Sequence, residues 1–292
     1  MLRGILAIIT ASILFGITPS GNKYVLLSGM TSDCVLFYQV IVMIAGTALV
    51  MAVKHIPFRI PAKAAVKLLV LGVVGMGCTD FLLNSAYGYL QVSTVLMLHF
   101  MYPSIVLILS ALVLRQRMTK FAVSAIVLSI AGLALITGKT GSIDPVGALC
   151  ALGSALTYAI FAVANDQGDV NQYPLVVKLF YMSLGTSLVY GAKTIFSGNF
   201  SLPVNVKTAA ILIGIVGMGS LLGFYFITAG IKIIGAGRAA FINMLEPITG
   251  VLGGVIIYHE TLTSRAGIGC ICILTAVLLV AFDGVHREKA SA

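Results

Sequence analysis

The chain has 292 residues, of which 59% are hydrophobic and only 9% are charged, and its formal net charge is +9. Charged residues alone make up about a quarter of a typical soluble domain, so this composition excludes a soluble protein and indicates an integral membrane protein. The Lys and Arg residues are spread over short connections and form no basic stripe, which argues against a nucleic-acid partner.

Apolar segments follow one another along the chain, separated by charges, prolines and glycine clusters. A helix needs about 20 apolar residues to cross the hydrocarbon core of a bilayer. The first segment follows Arg3 and runs past Pro19 without a convincing cleavage site, so we interpret it as a spanning helix and not as a signal peptide. The ten predicted spans cover residues 4–27, 33–53, 64–84, 92–114, 120–138, 145–165, 173–195, 207–230, 236–257 and 265–282.

The distribution of basic residues predicts how these spans are oriented. Cytoplasmic loops of membrane proteins carry an excess of Lys and Arg. Most of the 18 Lys and Arg residues fall on the cytoplasmic side if the N-terminus is placed there. With ten spans, both termini then face the cytoplasm, and we expect the protein to lie in the inner or plasma membrane.

The two halves of the sequence resemble each other. The segment LGVVGMG at 71–77 reappears as IGIVGMG at 213–219, and the apolar segment around Pro103 matches the segment around Pro247. At the starts of the halves, the alignment pairs residues of the first and sixth spans, Phe15 with Tyr158 and Asn22 with Asn165. The sequence therefore predicts an internal repeat, with halves at residues 1–140 and 141–292.

Each predicted half contains five spans, so the second half enters the membrane from the side opposite to the first. This predicts an all-α membrane protein with ten transmembrane helices arranged as two inverted-topology five-helix repeats. Inverted repeats of this kind place a substrate site near the bilayer midplane between the halves, with alternating access by rocking. The repeat therefore favours a carrier over an enzyme or an open channel.

The most specific sequence feature is a Glu-Pro segment, LEPITGVLGGVIIYHETLT, whose partner in the first half is YPSIVLILSALVLRQRMT. With ten spans in two halves, these segments make the chain resemble the EamA-type families of the drug/metabolite transporter superfamily over nearly its whole length. The resemblance implies a ten-helix bundle around a central cavity. It also implies relatives that move amino acids, amines, nucleotide-sugars or drugs, often outward. Such proteins often carry Trp in the first and sixth helices, where this chain has Phe15 and Tyr158.

Ionisable residues at membrane depth are costly and are therefore functional candidates. Asp80, Asn84 and Tyr87 are spaced i, i+4, i+7, which places them on one face of a helix. One interpretation is a cavity wall in which Asp80 faces a substrate ammonium or carries a coupling proton. The alternative is a buried hydrogen-bond network between helices. His99 is another candidate because imidazole titrates near neutral pH, although a lone His is also a common polar packing residue.

Glu246 directly precedes Pro247, and a proline within a helix leaves a backbone carbonyl without its usual donor. A carboxylate beside such a break can serve a gate, pair with Arg238 or cap freed amide groups. The repeat keeps a proline at Pro103 but has Tyr102 where the second half has Glu246. We therefore interpret the prolines as a shared helix break and Glu246 as a gating or structural residue.

Aromatic side chains on the predicted inner helices suit an amine or an aromatic amino acid through cation–π contact and stacking, although most membrane aromatics simply pack. The candidates for substrate contact are Phe15, Tyr87, Tyr102, Tyr158 and Tyr225. The paired amides Asn22 and Asn165 are interpreted as helix caps or gate hydrogen bonds. Asp166 and Asp169 follow the sixth span and are interpreted as solvated loop charges.

Motifs of hydrolases, metalloproteases and P-loop nucleotide-binding proteins are absent from the sequence, and the five Cys residues show no metal-ligand spacing. We expect no enzyme activity, cofactor or metal. The prediction is a secondary transporter that moves a small polar metabolite, an amino acid or related amine, outward across the bilayer, with a proton as a possible coupling ion. The alternatives are uptake or exchange of organic cations or of other metabolites such as nucleotide-sugars and, from another class, a membrane-embedded sensor. The oligomeric state is not predicted.

Overall fold

The chain is described here by a computed structural model that covers residues 1–90, 92–113, 119–137, 144–166, 172–196, 198, 200–258 and 264–291. Within these ranges the regular secondary structure is helical and contains no strand. The predicted boundary between the halves, at residues 140 and 141, lies outside the described residues. So do Asp169 and the two loop segments that follow the proline-containing spans, 114–118 and 259–263.

Apolar helices form the architecture. Six of the described ones are long and apolar enough to cross a membrane: Leu2–Leu27, Ser32–Val53, Ala62–Ala86, Pro145–Asp166, Leu175–Phe196 and Val206–Ile234. Their bounds agree closely with the predicted spans, because long apolar runs give a strong local signal. The helices are α1 (Leu2–Leu27), α2 (Ser32–Val53), α3 (Ala62–Ala86), α4 (Val92–His99), α5 (Tyr102–Val113), α6 (Lys120–Thr137), α7 (Pro145–Asp166), α8 (Leu175–Phe196), α9 (Val206–Ile234), α10 (Ala236–Ile242), α11 (Leu245–Tyr258) and α12 (Ser264–Ser291).

The predicted fourth and ninth spans are each broken into two helices. The first break lies at residues 100–101, between α4 and α5, and the second at residues 243–244, between α10 and α11. Each break comes just before a proline, Pro103 or Pro247, whose ring removes the N–H that the preceding turn needs. The shared helix break is therefore present in both halves, whereas the ten-helix inverted arrangement stays a prediction.

Two of the long helices contain a π-helical segment at related places. The segments are Gly72–Gly77 in α3 and Leu212–Met218 in α9, and both fall on the repeated GVVGMG-type sequence. A π-helical turn shifts the backbone hydrogen bonds and opens room for a neighbouring helix. The repeated sequence thus produces the same backbone irregularity twice.

The π-helical segment of α3 lies directly against the backbone of α8. A Cβ atom at Gly72 would meet the carbonyl oxygen of Met182, and one at Gly185 would meet that of Leu69. The hydroxyl of Thr186 donates to the carbonyl oxygen of Gly72 at 2.9 Å. Small residues that permit close backbone approach are a common basis of helix packing in membranes.

Helices from the two halves of the chain are interleaved. The N-terminal helix α1 packs against α9 and α11, whereas α7, from the second half, packs against α3 and α5. α6 and α12 pack against each other at the side of this arrangement. Large apolar side chains remain exposed around the perimeter, such as Leu149 and Phe196, as expected for a surface that faces lipid tails.

The contact between Gly72 and Met182 predicts that Gly72→Ala destabilises the protein by about 1–3 kcal/mol, because the added methyl group meets a backbone oxygen. Gly214 is the repeat-related glycine, and a Cβ atom there meets nothing within 4 Å. Gly214→Ala is therefore the matched control, with unchanged or slightly higher stability because alanine favours helix. Thermal unfolding in detergent micelles measures both, and equal effects of the two substitutions would contradict the assigned contact.

Candidate functional site

A cavity of about 910 Å³ lies among the helices, with walls from α1, α2, α3, α4, α5, α7, α9 and α11. It reaches the end of the bundle at which α1 ends and α2 begins, where Leu27 lines it and is 76% exposed. Tyr102, Tyr158 and Glu246 line it as well, next to the two helix breaks. The cavity is thus formed by both halves of the chain.

Seven of the eight predicted substrate-binding residues line this cavity: Phe15, Asp80, Asn84, Tyr87, His99, Tyr102 and Tyr158. The eighth, Tyr225, lies outside the lining, where its ring packs edge-on against Phe226 with centroids 5.6 Å apart. The neighbouring Phe224 lines the cavity instead, since adjacent residues of a helix point in different directions. The repeat correctly indicated α9 as an inner helix but not which of its adjacent aromatics faces inward.

The predicted polar stripe on α3 both lines the cavity and takes part in a hydrogen-bond network. The amide of Asn84 donates to the carbonyl oxygen of Asp80 at 2.8 Å and accepts from the hydroxyl of Ser32 on α2 at 3.0 Å. The side chain of Asp80 interacts with the hydroxyl of the buried Tyr190 on α8. No described Lys or Arg forms an ion pair with Asp80. The stripe is therefore part of a cavity wall and also part of a hydrogen-bond network between helices, the two arrangements that the sequence left open.

His99 ends α4 and is held by one defined hydrogen bond. Its Nδ1 lies 2.9 Å from the hydroxyl oxygen of Ser154 on α7, and that hydroxyl donates to the carbonyl oxygen of Ala151 at 2.6 Å. When the one hydroxyl proton is given to Ala151, Nδ1 of His99 is the donor in their contact. His99 is thus a hydrogen-bonded packing residue as well as part of the cavity wall.

Aromatic rings form a continuous contact series along the cavity. Tyr102 and Tyr158 are 4.5 Å apart between ring centroids, Tyr158 and Phe161 are 5.7 Å apart, and Phe161 and Phe224 are 5.8 Å apart. Phe15 on α1 completes the series at 5.1 Å from Phe224. Phe161 is fully buried, whereas the other four rings line the cavity and offer edges and faces to a ligand. Together the five rings hold α1, α5, α7 and α9 in contact.

Asn243 stands at the second helix break and connects three parts of the site. Its side-chain amide nitrogen donates to Glu246 Oε2 at 3.1 Å and to the Tyr102 hydroxyl at 3.0 Å. Its amide oxygen accepts from the hydroxyl of Ser12 on α1 at 3.0 Å. Sequence reasoning missed Asn243, although its position three residues before Glu246 places both on one helix face.

One of the alternatives for Glu246, an ion pair with Arg238, is not present among the described residues, and Glu246 instead accepts a hydrogen bond from Asn243. The helix break separates the two, since Arg238 lies in α10 and Glu246 at the start of α11. Pro103 and Pro247 lie next to the cavity residues but are not part of its lining. Their effect on the site is therefore indirect, through the breaks.

The two breaks make related contacts across the halves. His99 stands four residues before Pro103, and Asn243 stands four residues before Pro247. Each bonds a serine on the first helix of the other half: His99 contacts Ser154 on α7, and Asn243 contacts Ser12 on α1. The repeat alignment pairs His99 with Asn243, so it contained a signal for this arrangement.

The paired amides occupy different environments. Asn22 lines the cavity, and its Oδ1 has no hydrogen-bond partner among the described residues. Asn165 is buried away from the cavity lining and donates to the carbonyl oxygen of Phe161 at 2.9 Å. The next residue, Asp166, accepts from the backbone N–H of Ala236 at 3.1 Å, so it caps α10 and is not the solvated charge that we expected.

Metal ligands are not grouped in the described part of the chain, which contains no cluster of three or more His, Cys, Asp or Glu side chains that could hold an ion. The site instead offers two carboxyl groups, one imidazole, several amides and hydroxyls, and aromatic rings. These groups can bind and orient a small polar molecule, and the carboxyl groups can also take up a proton.

Comparisons with known proteins agree with this picture. The sequence profile of the EamA-like transporter family matches residues 2–138 and 145–282. An inner membrane transporter of Salmonella typhimurium, YicL, is 24% identical over 99% of this chain and 98% of its own length. A membrane protein of Saccharomyces cerevisiae is 26% identical over 84% of this chain, but the match spans only 65% of its length. A solved crystal structure shares the fold with a TM-score of 0.79 over 96% of this chain and 98% of its own, at 17% identity.

The contact between Ser12 and Asn243 predicts that Ser12→Ala and Asn243→Ala are not additive. The coupling free energy expected from one hydrogen bond is about 0.5–1.5 kcal/mol. Unfolding of the single and double variants in detergent micelles measures it. Thr275 on α12 bonds only within its own helix, so Ser12→Ala combined with Thr275→Val is the control pair and should be additive to within about 0.5 kcal/mol. Additive effects of Ser12→Ala and Asn243→Ala would contradict the bridging role.

Proposed function

Because the chain belongs to the EamA-like transporter family, we propose that it is a secondary transporter that moves a small amine-bearing metabolite through this cavity by alternating access. Family membership makes the chain a multi-pass membrane protein and a transporter and not an enzyme. The proposal adds the substrate, an amino acid or related amine, and the route. It also places the protein in the plasma membrane with cytoplasmic termini.

The observation that carries the proposal is the presence of two carboxyl groups in one cavity with aromatic walls. Asp80 comes from α3 in the first half and Glu246 from α11 in the second. A carboxylate pairs with an ammonium group, and nearby Tyr and Phe rings attract the same cation through their faces. Burying two acids at membrane depth is costly, so their position in a cavity supports a role in binding a ligand or a proton.

Alternating access is supported by the way in which the halves meet. Each half contributes a broken helix beside the cavity, and a polar side chain at each break bonds the first helix of the other half. Rocking of one half against the other would have to rearrange these few contacts at the cavity. We propose net export, as the family resemblance implies. We also propose that a proton is the coupling ion and that proton and amine bind alternately.

Alternative substrates can be ranked by charge. Phosphate-bearing substrates such as nucleotide-sugars need Arg or Lys side chains, and the residues that line the described cavity include neither. The same feature favours the second candidate, uptake or exchange of organic cations. A sensor would bind the same ligands without transporting them.

Asp80→Asn is expected to reduce amine counterflow in proteoliposomes at least tenfold, since the substitution removes a charge-assisted hydrogen bond of about 1.5–3 kcal/mol. In the wild type, flux should fall as the pH is lowered, because a protonated Asp80 no longer pairs with an ammonium group. The variant should lose the part of this pH dependence that comes from Asp80.

The control variant is Asp144→Asn. Asp144 lies outside the cavity lining and caps α7 by accepting from the N–H of Val146 at 2.8 Å, and Asn caps helices equally well. Its flux should match that of the wild type. Equal flux of wild type and Asp80→Asn over the whole pH series would contradict the role of Asp80, and ligand-induced stabilisation without any flux would favour a sensor.

A further inference from the structure

We propose that the substrate of this cavity is an organic dication without a carboxylate group, bound with one cationic group at Asp80 and the other at Glu246. The inference rests on the proposed transport function and specifies the class of molecule that the same cavity takes. A diamine is the simplest member of this class. Every amino acid adds a negative carboxylate, and most amino acids have one ammonium group instead of two.

The first step of the argument is the arrangement of the two acids. Asp80 and Glu246 line the same cavity but are held by different partners, Asp80 by Tyr190 on α8 and Glu246 by Asn243 at the second break. They lie within electrostatic range of each other, and Tyr158 and Tyr87 are each within range of both. Two separate anionic positions with tyrosine rings near both suit a chain that carries a cation at each end.

The second step is the balance of charge. Neither Asp80 nor Glu246 forms an ion pair with a described Lys or Arg. The described residues of the cavity lining include no Lys or Arg, and their one imidazole, that of His99, already uses Nδ1 to bond Ser154. A ligand carboxylate would thus meet two acids and no fixed cation. Two ammonium groups would neutralise both acids.

The third step is the character of the remaining wall. Apart from the acids and a few other polar groups, the lining is mostly apolar or aromatic and includes Leu83, Leu96, Phe100 and Phe224. The volume of about 910 Å³ is in the upper part of the range of about 300–1,000 Å³ that is typical of small-molecule sites. A flexible methylene chain suits such a wall, because it buries apolar surface without leaving a polar group unsatisfied.

The test compares three small molecules that differ by one group. Cadaverine has two ammonium groups on a five-carbon chain, lysine adds a carboxylate to it, and pentylamine lacks the second ammonium group. Isothermal titration calorimetry of the purified protein in detergent micelles at neutral pH should give an affinity for cadaverine at least about tenfold higher than for either of the others. Equal affinity for lysine or for pentylamine would overturn the proposal.

Two isosteric variants test the two positions separately. Asp80→Asn and Glu246→Gln should each lower the affinity for cadaverine to near that for pentylamine, while leaving pentylamine binding at the acid that remains. Gln keeps an oxygen that can accept from Asn243, so the second break retains its hydrogen bond. Asp144→Asn should retain the full preference. If a variant fails to fold, the comparison of the three ligands on the wild type decides by itself.

Counterflow in proteoliposomes separates this inference from the transport function. Exchange of labelled cadaverine that is not inhibited by lysine would support both the dication inference and the transport function. Exchange of an amino acid or another metabolite, with no preference for cadaverine, would overturn the dication and leave transport standing. Tight binding of cadaverine without exchange of any metabolite would support the ligand class and contradict the transport function.

Discussion

A proline within a membrane helix removes one backbone donor where no water can replace it, and this constraint shapes the whole site. It divides the fourth and ninth predicted spans at residues 100–101 and 243–244. Side chains at the breaks then supply polar groups at membrane depth, and these groups include His99, Tyr102, Asn243 and Glu246. An uninterrupted apolar helix would have no reason to carry such a group of polar residues.

The breaks also determine how the halves of the chain hold together. Ser12 and Ser154 lie on the first helix of each half, and each bonds the polar side chain that stands at the break in the other half. These contacts are few, whereas the apolar packing around them is extensive. Interhelical hydrogen bonds in membranes contribute only about 0.6–2 kcal/mol each, so the contacts can be exchanged without loss of the fold. Packing therefore stabilises the bundle, and the polar contacts set its arrangement near the cavity.

The electrostatics of the cavity connect structure with function. Two acids in a wall whose described residues include no Lys or Arg are unfavourable for the protein alone, because each carboxylate loses solvation and repels the other. Hydrogen bonds from Asn243 to Glu246 and the proximity of Tyr190 to Asp80 offset only part of this cost. A bound cation or proton offsets the rest. A need for a positive partner is the property that the proposed carrier of amines requires.

The sequence by itself determined the features that depend on local pattern. Apolar runs of about 20 residues indicated the membrane class and the bounds of α1, α2, α3, α7, α8 and α9. The repeat located the two prolines and paired Phe15 on α1 with Tyr158 on α7, whereas the i, i+4 spacing of polar residues located Asp80 and Asn84 on α3. Only the tertiary structure decided which side chains meet. Asn243 and not Arg238 bonds Glu246, Phe224 and not Tyr225 faces the cavity, and Asp166 caps α10. Periodicity places a residue on a helix, but its partner depends on helix rotation and on the contacts between distant segments, which no local pattern contains.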